Sequence, residues 1–324
     1  MLKNLVEKAS TIAIGGHIRP DGDCVGSCVG LYQYLTDNYG EKEIDIYLED
    51  IPEALHLIPG TEKIKHEIPE GKVYDLFLDL NANDEQLDFP ILYGFSQPLF
   101  ENAKDTVCID HHISNEAFAE HNYIVADASS TSELVYNLLD KEKITREIAE
   151  ALYVGIVHDT GVFQYSCTAP STFRMAAELL EKGVDAPALI EATYYEKSYA
   201  QNQVLGRALL ESMLLLDGRC IVSYISKSVM DFYGVEPKEL DGIVSQLRVT
   251  KGTEVAVFMY ETAVNQWKVS LRSKKSIDVS RTARYFGGGG HVRAAGFSMP
   301  GTFHDVVGNV ARQLELQFDE TEEA

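Results

Sequence analysis

The stretch TIAIGGHIRPDGDCVGS, residues 11–27, joins a short apolar run to a charged turn and then to a segment rich in small residues. The apolar run has the length and composition of a buried strand, and the segment after the turn has a helical pattern. The turn between them contains His17, Asp21 and Asp23. Ligands of open α/β sheets bind at the carboxyl ends of strands, so this turn is a candidate site. It also fits a purely structural role, because Asp and Gly are common at strand ends and helix caps.

Further apolar runs of strand length alternate with helical patterns up to about residue 185, which predicts βαβ units around a parallel sheet. These runs are EIDIYL at 43–48, KVYDLFLDL at 72–80 and DTVCID at 105–110. In the last third of the chain, RCIVSYI, EVAVFMYE and QWKVSLRS alternate like half-buried strands. We therefore predict an α/β fold with a parallel-sheet domain at 1–185, a helical linker at 186–206 and a smaller mixed α/β domain at 207–324.

Two of the later strands also end in residue types that bind metals. Asp79 lies near the end of the apolar run VYDLFLDL, where a carboxylate has no packing role. The run TVCI leads directly into Asp110, His111 and His112, and adjacent histidines are rarely needed for packing. Because the carboxyl ends of parallel strands meet at one edge of a sheet, we expect these side chains to lie near the first turn.

A fourth contribution comes from a helix. The pattern IAEALYVGIV predicts a helix that stops at Asp159, with Gly161 allowing the chain to turn away. Upstream, Ser130 and Glu133 have the spacing of a capping box before the helical run ELVYNLL. Four separate element ends that all offer Asp or His are hard to obtain by chance, and together they predict a metal site.

The candidate ligands are four carboxylates and two imidazoles, which is too many for one ion. They are His17, Asp21, Asp23, Asp79, His111 and Asp159. A set of oxygen and nitrogen donors without a thiolate suits Mn²⁺, with Mg²⁺, Co²⁺ or Fe²⁺ as substitutes. Two such ions about 3.5 to 4 Å apart clamp a phosphoryl group from both sides of an in-line displacement. We therefore expect two Mn²⁺ ions and phosphoryl chemistry.

The segments HIRPDGDCVGS, FLDL, IDHH and HDTGVF resemble, in order and spacing, the four motifs of the DHH superfamily of phosphoesterases. The resemblance implies that one ion is bound by His17 and Asp21, the other by Asp23, His111 and Asp159, and that Asp79 bridges both. It also implies that His112 faces the substrate phosphate, whereas Asp110 orients a histidine or closes the strand end. One departure is His158, which stands where the family often has Thr.

A second signature, GGGGHVRAAG at 287–296, is preceded by SLRS at 270–273 and resembles the DHH-associated substrate domain. Consecutive glycines let backbone N–H groups approach an anion, and His and Arg add charge-assisted contacts. From Arg248 to Arg293 there are nine Lys or Arg against three Asp or Glu. This balance favours a phosphate pocket over the alternative, a flexible loop before a strand. The candidate substrate-binding residues are Arg272, Ser273, Gly288, Gly289, Gly290, His291 and Arg293.

The composition restricts the substrate and the compartment. The chain has 28 Lys and Arg against 50 Asp and Glu, a formal net charge of −22 at pH 7. Such a surface repels long nucleic acid, whereas one locally basic pocket is enough for a short anionic substrate. Five cysteines without CxxC spacing predict reduced core thiols, although Cys24 and Cys28 could share a metal. The absence of a long apolar run predicts a cytoplasmic protein with no membrane partner.

Two such domains in a chain of this length resemble the oligoribonucleases and pAp phosphatases of the superfamily. We therefore expect a hydrolase that cleaves short RNA oligonucleotides (nanoRNA, linear dinucleotides) to mononucleotides, or 3′-phosphoadenosine 5′-phosphate (pAp) to AMP. The alternatives are a pyrophosphatase, a single-strand DNA exonuclease, a cyclic-dinucleotide phosphodiesterase and a non-catalytic nucleotide sensor. A non-catalytic sensor would be expected to lack at least one metal ligand, whereas all six candidate ligands are present in this sequence. The sequence leaves a homodimer open.

Overall fold

The computed structural model describes residues 2–81, 94–112 and 115–323. The described residues up to Glu196 form one compact unit, and those from Lys197 onward form a second. This division falls inside the linker predicted at 186–206. No helix in the described ranges combines the length and apolar character needed to cross a membrane.

The first unit contains the predicted parallel sheet. Its strands are β1 (Thr11–Gly16), β2 (Glu43–Tyr47), β3 (Ile64–Lys65), β4 (Leu76–Leu80), β5 (Thr106–Asp110) and β6 (His121–Ile124). In the described part of the chain they lie in the order β3-β2-β1-β4-β5-β6, and each neighbouring pair is parallel. The α/β fold predicted for this part is confirmed. The sequence pattern missed β3 and β6, since one has two residues and the other is only partly buried along its length.

Helices pack against the sheet and bury both of its faces. They are α1 (Leu2–Lys8), α2 (Gly22–Asn38), α3 (Gln97–Asn102), α4 (Thr131–Leu138), α5 (Arg146–Asp159), α6 (Pro170–Glu181) and α7 (Ala186–Ile190), which is followed by a π-helical turn (Glu191–Tyr195). Ile12 and Ile14 of β1 belong to the larger hydrophobic core, whereas Ala13 faces a smaller core with Phe77 and Phe100. Burial on both faces explains why the central strands are nearly continuous apolar runs.

The strand register brings the predicted ligands to one edge of the sheet. Gly15 of β1 pairs with Asp79 of β4, and Asp79 in turn pairs with Cys108 of β5. The residues that follow these pairs, among them His17 and Asp110, therefore leave the sheet side by side. This is the carboxyl edge, where open α/β sheets bind ligands.

Glycines allow α2 and α5 to pack unusually closely. Gly22, Gly26 and Gly30 are spaced four residues apart on α2, so they lie on one face. An added Cβ at Gly26 would lie 2.5 Å from the carbonyl oxygen of Ala151 and 2.9 Å from the amide nitrogen of Gly155, both in α5. The two helix backbones are thus in direct contact. This contact brings the N-terminal end of α2 towards the C-terminal end of α5.

The second unit is the smaller mixed α/β part. Its strands are β7 (Met213–Leu215), β8 (Cys220–Ile225), β9 (Val255–Ala263), β10 (Gln266–Ser273), β11 (Gly289–His291) and β12 (Ala294–Pro300). Its helices are α8 (Tyr199–Leu210), α9 (Lys227–Tyr233), α10 (Ile243–Arg248), α11 (Val279–Tyr285) and α12 (Phe303–Glu323). The strand order is β11-β12-β10-β9-β8-β7, with β8 parallel to β9 and the other pairs antiparallel. The predicted fold class is confirmed here as well.

Candidate metal centre

The ligand turn, residues 17–23, follows β1 directly. His17 is 7% exposed, and its Nδ1 lies 2.7 Å from the carbonyl oxygen of Ile18. A carbonyl oxygen only accepts, so Nδ1 donates and the lone pair is on Nε2. This Nε2 is buried without a hydrogen-bond partner among the described residues and lies 3.6 Å from Oδ1 of Asp21. His17 and Asp21 therefore form a pair that can hold a cation.

Asp21 also caps α2, as the structural interpretation of the turn predicted. Its Oδ1 accepts hydrogen bonds from the amides of Asp23 and Cys24 at 3.1 and 2.9 Å. The cap bonds fix the side chain, and a carboxylate has enough lone pairs to bind a cation as well. Asp21 can therefore cap the helix and bind a metal ion at the same time.

The carboxylate of Asp23 is fully buried at the N-terminus of α4. Oδ2 accepts from the amide nitrogen of Thr131 at 2.7 Å, and Oδ1 accepts from that of Ser132 at 2.9 Å. The positive end of the helix dipole adds to these bonds. Gly155 of α5 leaves room for the carboxylate, because an added Cβ would lie 2.9 Å from Oδ1. The orientation of Asp23 is thus set by the backbone.

Asp23, His111 and Asp159 form one cluster. Nε2 of His111 lies 2.9 Å from Oδ2 of Asp159 and 3.9 Å from Oδ2 of Asp23. The three ligand atoms are all within 4.8 Å of one another, so they can hold one ion. Burial and the charge of Asp159 raise the pKa of Asp23 to about 7 despite the opposing effect of His111. A cation at this position would remove the repulsion between the carboxylates.

Asp79 is the most unusual group of the site. It is fully buried on β4, and neither of its oxygens has a hydrogen-bond partner in the described part of the chain. Burial and the nearby charge of Asp110 raise its pKa, and His17 opposes this effect only in part. A buried carboxylate without a partner costs several kcal/mol, of order 3 or more, unless it is neutralised or binds a cation. The orphaned oxygens thus fit a metal ligand.

Asp110 orients His112. Nδ1 of His112 lies 2.8 Å from Oδ1 of Asp110, which also accepts from the amides of His111 and His112 at 2.7 and 3.2 Å. The second oxygen accepts from Nδ2 of Asn115 at 2.6 Å. Despite burial, the hydrogen bond and charge of His112 keep the pKa of Asp110 low. A charged Asp110 therefore holds the His112 ring through Nδ1. Orienting a histidine is one of the two roles that the family resemblance implies for Asp110.

The structure thus groups five of the six candidate ligands into a triad and a pair. The triad is Asp23, His111 and Asp159, and the pair is His17 and Asp21. Asp79 is on the strand between β1 and β5, whose ends lead into the other ligands. The donors are oxygen and nitrogen atoms, and all five cysteines are free thiols, as predicted. These donor types fit borderline-hard divalent ions.

In the second unit, the side chain of Ser273 has hydrogen-bond partners in the backbone. It is buried, and its hydroxyl donates to the carbonyl oxygens of Ile277 at 2.7 Å and Val292 at 3.3 Å. Because this hydroxyl already bonds to the backbone, Ser273 stabilises the loop. Nη1 of Arg272 bonds to the carbonyl oxygen of Leu271 at 3.0 Å, and Nη1 of the exposed Arg293 bonds to that of Ile277 at 2.9 Å. A guanidinium carries five N–H donors, so a single bond of this kind uses only part of its donor capacity.

The glycine run has packing roles that the sequence did not reveal. Gly289, Gly290 and His291 form β11, which pairs with β12 as an edge strand. An added Cβ at Gly288 would overlap the backbone of β12, and Gly290 has φ of +127°. The side chain of His291 lies outside what the structure describes. Close strand packing thus explains two of the glycines, and anion binding by this run stays a prediction.

Three features of the site escaped the sequence analysis. The amides of Thr131 and Ser132 give no sequence signal, because any residue there supplies an N–H. Asn115 lies in a loop where no sequence motif indicates that its side chain bonds to Asp110. Of the two hydrogen bonds of the predicted capping box, one is present: the hydroxyl of Ser130 accepts from the amide of Glu133 at 3.0 Å. The Glu133 carboxylate accepts from the amide of Ser129 at 3.0 Å and not from the amide of Ser130, the cap residue.

Comparisons with known proteins identify two family domains in this chain. The DHH family, N-terminal domain, matches residues 11–156, and the DHHA1 domain matches residues 217–318. The bifunctional oligoribonuclease and PAP phosphatase NrnA of Bacillus subtilis (strain 168) is 28% identical over 295 residues, which are 89% of either chain. This similarity spans both units.

Solved structures show the same fold. An exopolyphosphatase-related protein from Bacteroides fragilis has a TM-score of 0.87 at 26% identity, covering 97% of this chain and 94% of that one. RecJ from Thermus thermophilus, solved in complex with Mn²⁺, has a TM-score of 0.52 at 15% identity, covering 97% of this chain and 53% of that one. The second likeness is one of fold alone. Because both domains match and the Bacillus subtilis relative aligns across both, the chain belongs to the DHH family, with a DHH domain followed by a DHHA1 domain.

Proposed function

We propose that this protein is a two-metal phosphoesterase that hydrolyses short oligoribonucleotides, such as linear dinucleotides and nanoRNA, to mononucleotides, or pAp to AMP. The observation that supports it most strongly is Asp79, a fully buried carboxylate with two orphaned oxygens beside a triad and a pair of further donors. Membership of the DHH family and the similarity to NrnA support the reaction class and the kind of substrate.

We assign His17 and Asp21 to one ion, Asp23, His111 and Asp159 to the other, and Asp79 to both. Bound there, two divalent ions supply Lewis acidity at the phosphoryl group and an activated water. The donor set favours Mn²⁺, with Mg²⁺, Co²⁺ or Fe²⁺ as substitutes. The Mn²⁺ complex of RecJ, which shares the fold, is consistent with this choice.

His112 then acts on the substrate and not on the metals. Since Nδ1 is held by Asp110, we assign Nε2 to an oxygen of the scissile phosphate. As the P–O bond breaks, negative charge moves to the leaving oxygen and the phosphate, and a positioned imidazole stabilises it. Water supplies the entering oxygen, so a dinucleotide gives two mononucleotides.

Recognition belongs to the second unit in this proposal. Arg272, Arg293, His291 and the backbone of Gly288 to Gly290 bind the substrate's non-reacting phosphate, while Ser273 keeps their loop in place. We take residues 1–185 as the catalytic domain, 186–206 as the linker and 207–324 as the substrate domain. The net charge of −22 favours short substrates over long nucleic acid. The five free thiols favour the reducing cytoplasm.

The test is a panel of dinucleotide RNA, pAp, linear di-AMP and linear di-GMP, assayed with Mn²⁺ after removal of metal by a chelator. We expect turnover of at least one of them, restored by Mn²⁺ better than by Ca²⁺, whose longer bonds fit poorly. Asp79→Asn should lose about 10³-fold or more, roughly 4 kcal/mol of barrier.

Asp75→Asn is the matched control. Asp75 accepts from the amides of Ser10 and Thr11 at 2.8 and 3.1 Å and from Lys104, and it has no role in the proposed reaction. This variant should retain kcat within a few-fold. Turnover that persists without metal, or near wild-type rates in Asp79→Asn, would contradict the proposal.

A further inference from the structure

A row of aromatic rings leads away from the ligand turn within the first unit. The ring of His158 packs on Gly22, where an added Cβ would overlap the imidazole. Tyr194 meets this ring edge-on, with 5.4 Å between centroids and 84° between planes. Tyr195 meets Tyr194 in the same way at 5.2 Å and 82°. Tyr195, 54% exposed, is therefore the solvent-facing end of a row that begins at the ligand turn.

An open pocket of about 420 Å³ lies beside Tyr195. It is lined by Ala188, Glu191, Ala192, Tyr195 and Glu196. Its walls thus combine an aromatic ring, two methyl groups and two carboxylates. Carboxylates repel a phosphate, but they accept hydrogen bonds from hydroxyl and amino groups. The pocket fits a neutral aromatic group with polar edges, and a nucleoside has this chemistry.

The backbone around the two tyrosines is itself unusual. Residues Glu191–Tyr195 form a π-helical turn, closed by the amide of Glu196 donating to the carbonyl oxygen of Glu191 at 2.8 Å. Turns of this kind are rare and occur frequently at functional sites. Here the turn places Tyr194 against His158 and leaves Tyr195 at the pocket.

We propose that Tyr195 stacks on a base of the nucleotide whose phosphate lies at the ligand turn, and that Glu191 and Glu196 accept hydrogen bonds from its ribose or base. This inference rests on the proposed function, because it takes a nucleotide substrate as given. His158 and Tyr194 are positioning residues that fix the distance between Tyr195 and the metal ligands. Stacking is tolerant of base identity, since every base has a π-face.

The experiment compares the 5′-phosphorylated dinucleotide pApA with two analogues, each lacking one of the bases, in wild type and Tyr195→Ala. We expect the KM for pApA to rise about tenfold or more in Tyr195→Ala, with a smaller change in kcat, because one base stack is lost and the metal ligands are untouched. For the analogue that lacks the stacked base, both proteins should have the same KM. Tyr195→Phe keeps the ring and should stay within about twofold of wild type.

The matched control is Phe232→Ala. Phe232 is an exposed aromatic on α9, 78% exposed, and has no part in the proposed site. It should leave every KM unchanged. Equal losses on pApA and on both analogues, or an unchanged KM in Tyr195→Ala while wild type hydrolyses pApA, would overturn the inference and leave the proposed function intact. If wild type hydrolyses no nucleotide of the panel, the proposed function fails, and this inference fails with it.

Discussion

Replacing Gly26 by Ala tests whether the close packing of α2 on α5 holds the ligands in place. An added Cβ would lie 2.5 Å from the carbonyl oxygen of Ala151 and 2.9 Å from the amide nitrogen of Gly155, whereas ordinary contacts are 3.4 to 4 Å. Both opposing atoms belong to the backbone, so no side chain can rotate away. The two helices have to separate by about 1 Å in a core that is otherwise close-packed.

The stability cost follows from two opposing effects. Overpacking of this kind costs about 1–3 kcal/mol, and the better helix propensity of Ala offsets up to about 1 kcal/mol of it. At about 2–4 °C per kcal/mol, the melting temperature of the first unit should fall by several degrees.

The effect on activity should be larger than the effect on stability. Asp23 lies near the start of α2 and Asp159 ends α5, so separation of the helices widens the triad. A misplacement of about 1 Å costs about 10²-fold in rate. We therefore expect kcat/KM on a dinucleotide to fall about 100-fold, although Gly26 is not a ligand.

Thermal unfolding by circular dichroism, bound metal by mass spectrometry and kcat/KM should be measured on the same preparations. Gly206→Ala is the matched control, because it makes the same substitution within α8 where an added Cβ has no atom within 4 Å. This variant should keep wild-type activity and melt at the same temperature or slightly higher. If Gly26→Ala also keeps the wild-type activity and melting temperature, the close approach of α2 and α5 does not position the ligands.

Three further changes test other parts of the structure. Although burial raises its pKa, hydrogen bonds from two lysines hold the pKa of Asp45 at about 2, so its stabilisation is present above about pH 4 and is lost as the pH falls through 2. Asp45→Asn should lower the free energy of unfolding in urea by about 2 kcal/mol at pH 7 and by almost nothing near pH 2. Arg272→Ala and His291→Ala should lower kcat/KM on a dinucleotide by about 10² with two metals still bound, and should affect bis(p-nitrophenyl) phosphate far less; equal losses would argue against a role in recognition. Metal-free Asp79→Asn should melt above metal-free wild type at pH 8, and saturating Mn²⁺ should reverse the order; a lower melting temperature without metal would mean that Asp79 has a stabilising partner.

The parallel sheet and the ligand positions were predictable because both depend on local sequence. β1, β4 and β5 are buried on both faces, so each is an apolar run that stands out from its surroundings. Asp79 and the residues from Asp110 to His112 are out of place beside such runs. A charged or polar side chain next to an apolar strand can be recognised in the sequence, and the site consists of several such side chains at strand ends.

The supporting contacts were not predictable, because they join distant parts of the chain through atoms common to all residues. The carboxylate of Asp23 bonds to backbone amides 108 and 109 residues away, and an amide has no sequence signature. The spacing of Gly22, Gly26 and Gly30 was visible, but only the structure shows that α5 is its partner. The hydrogen bonds of the buried Ser273 hydroxyl were unpredictable for the same reason, since its acceptors are carbonyl oxygens.

The contrast between Asp23 and Asp79 indicates how the fold gathers so many carboxylates. Two amides at the start of α4 donate to Asp23 and partly offset the burial and the charge of Asp159, which raise its pKa to about 7. Asp79 receives no hydrogen bond from the described residues and has a raised pKa. A cation therefore contributes more free energy at Asp79 than at any ligand that the backbone already stabilises. The buried strand end is thus where metal binding and the stability of the first unit are most strongly coupled.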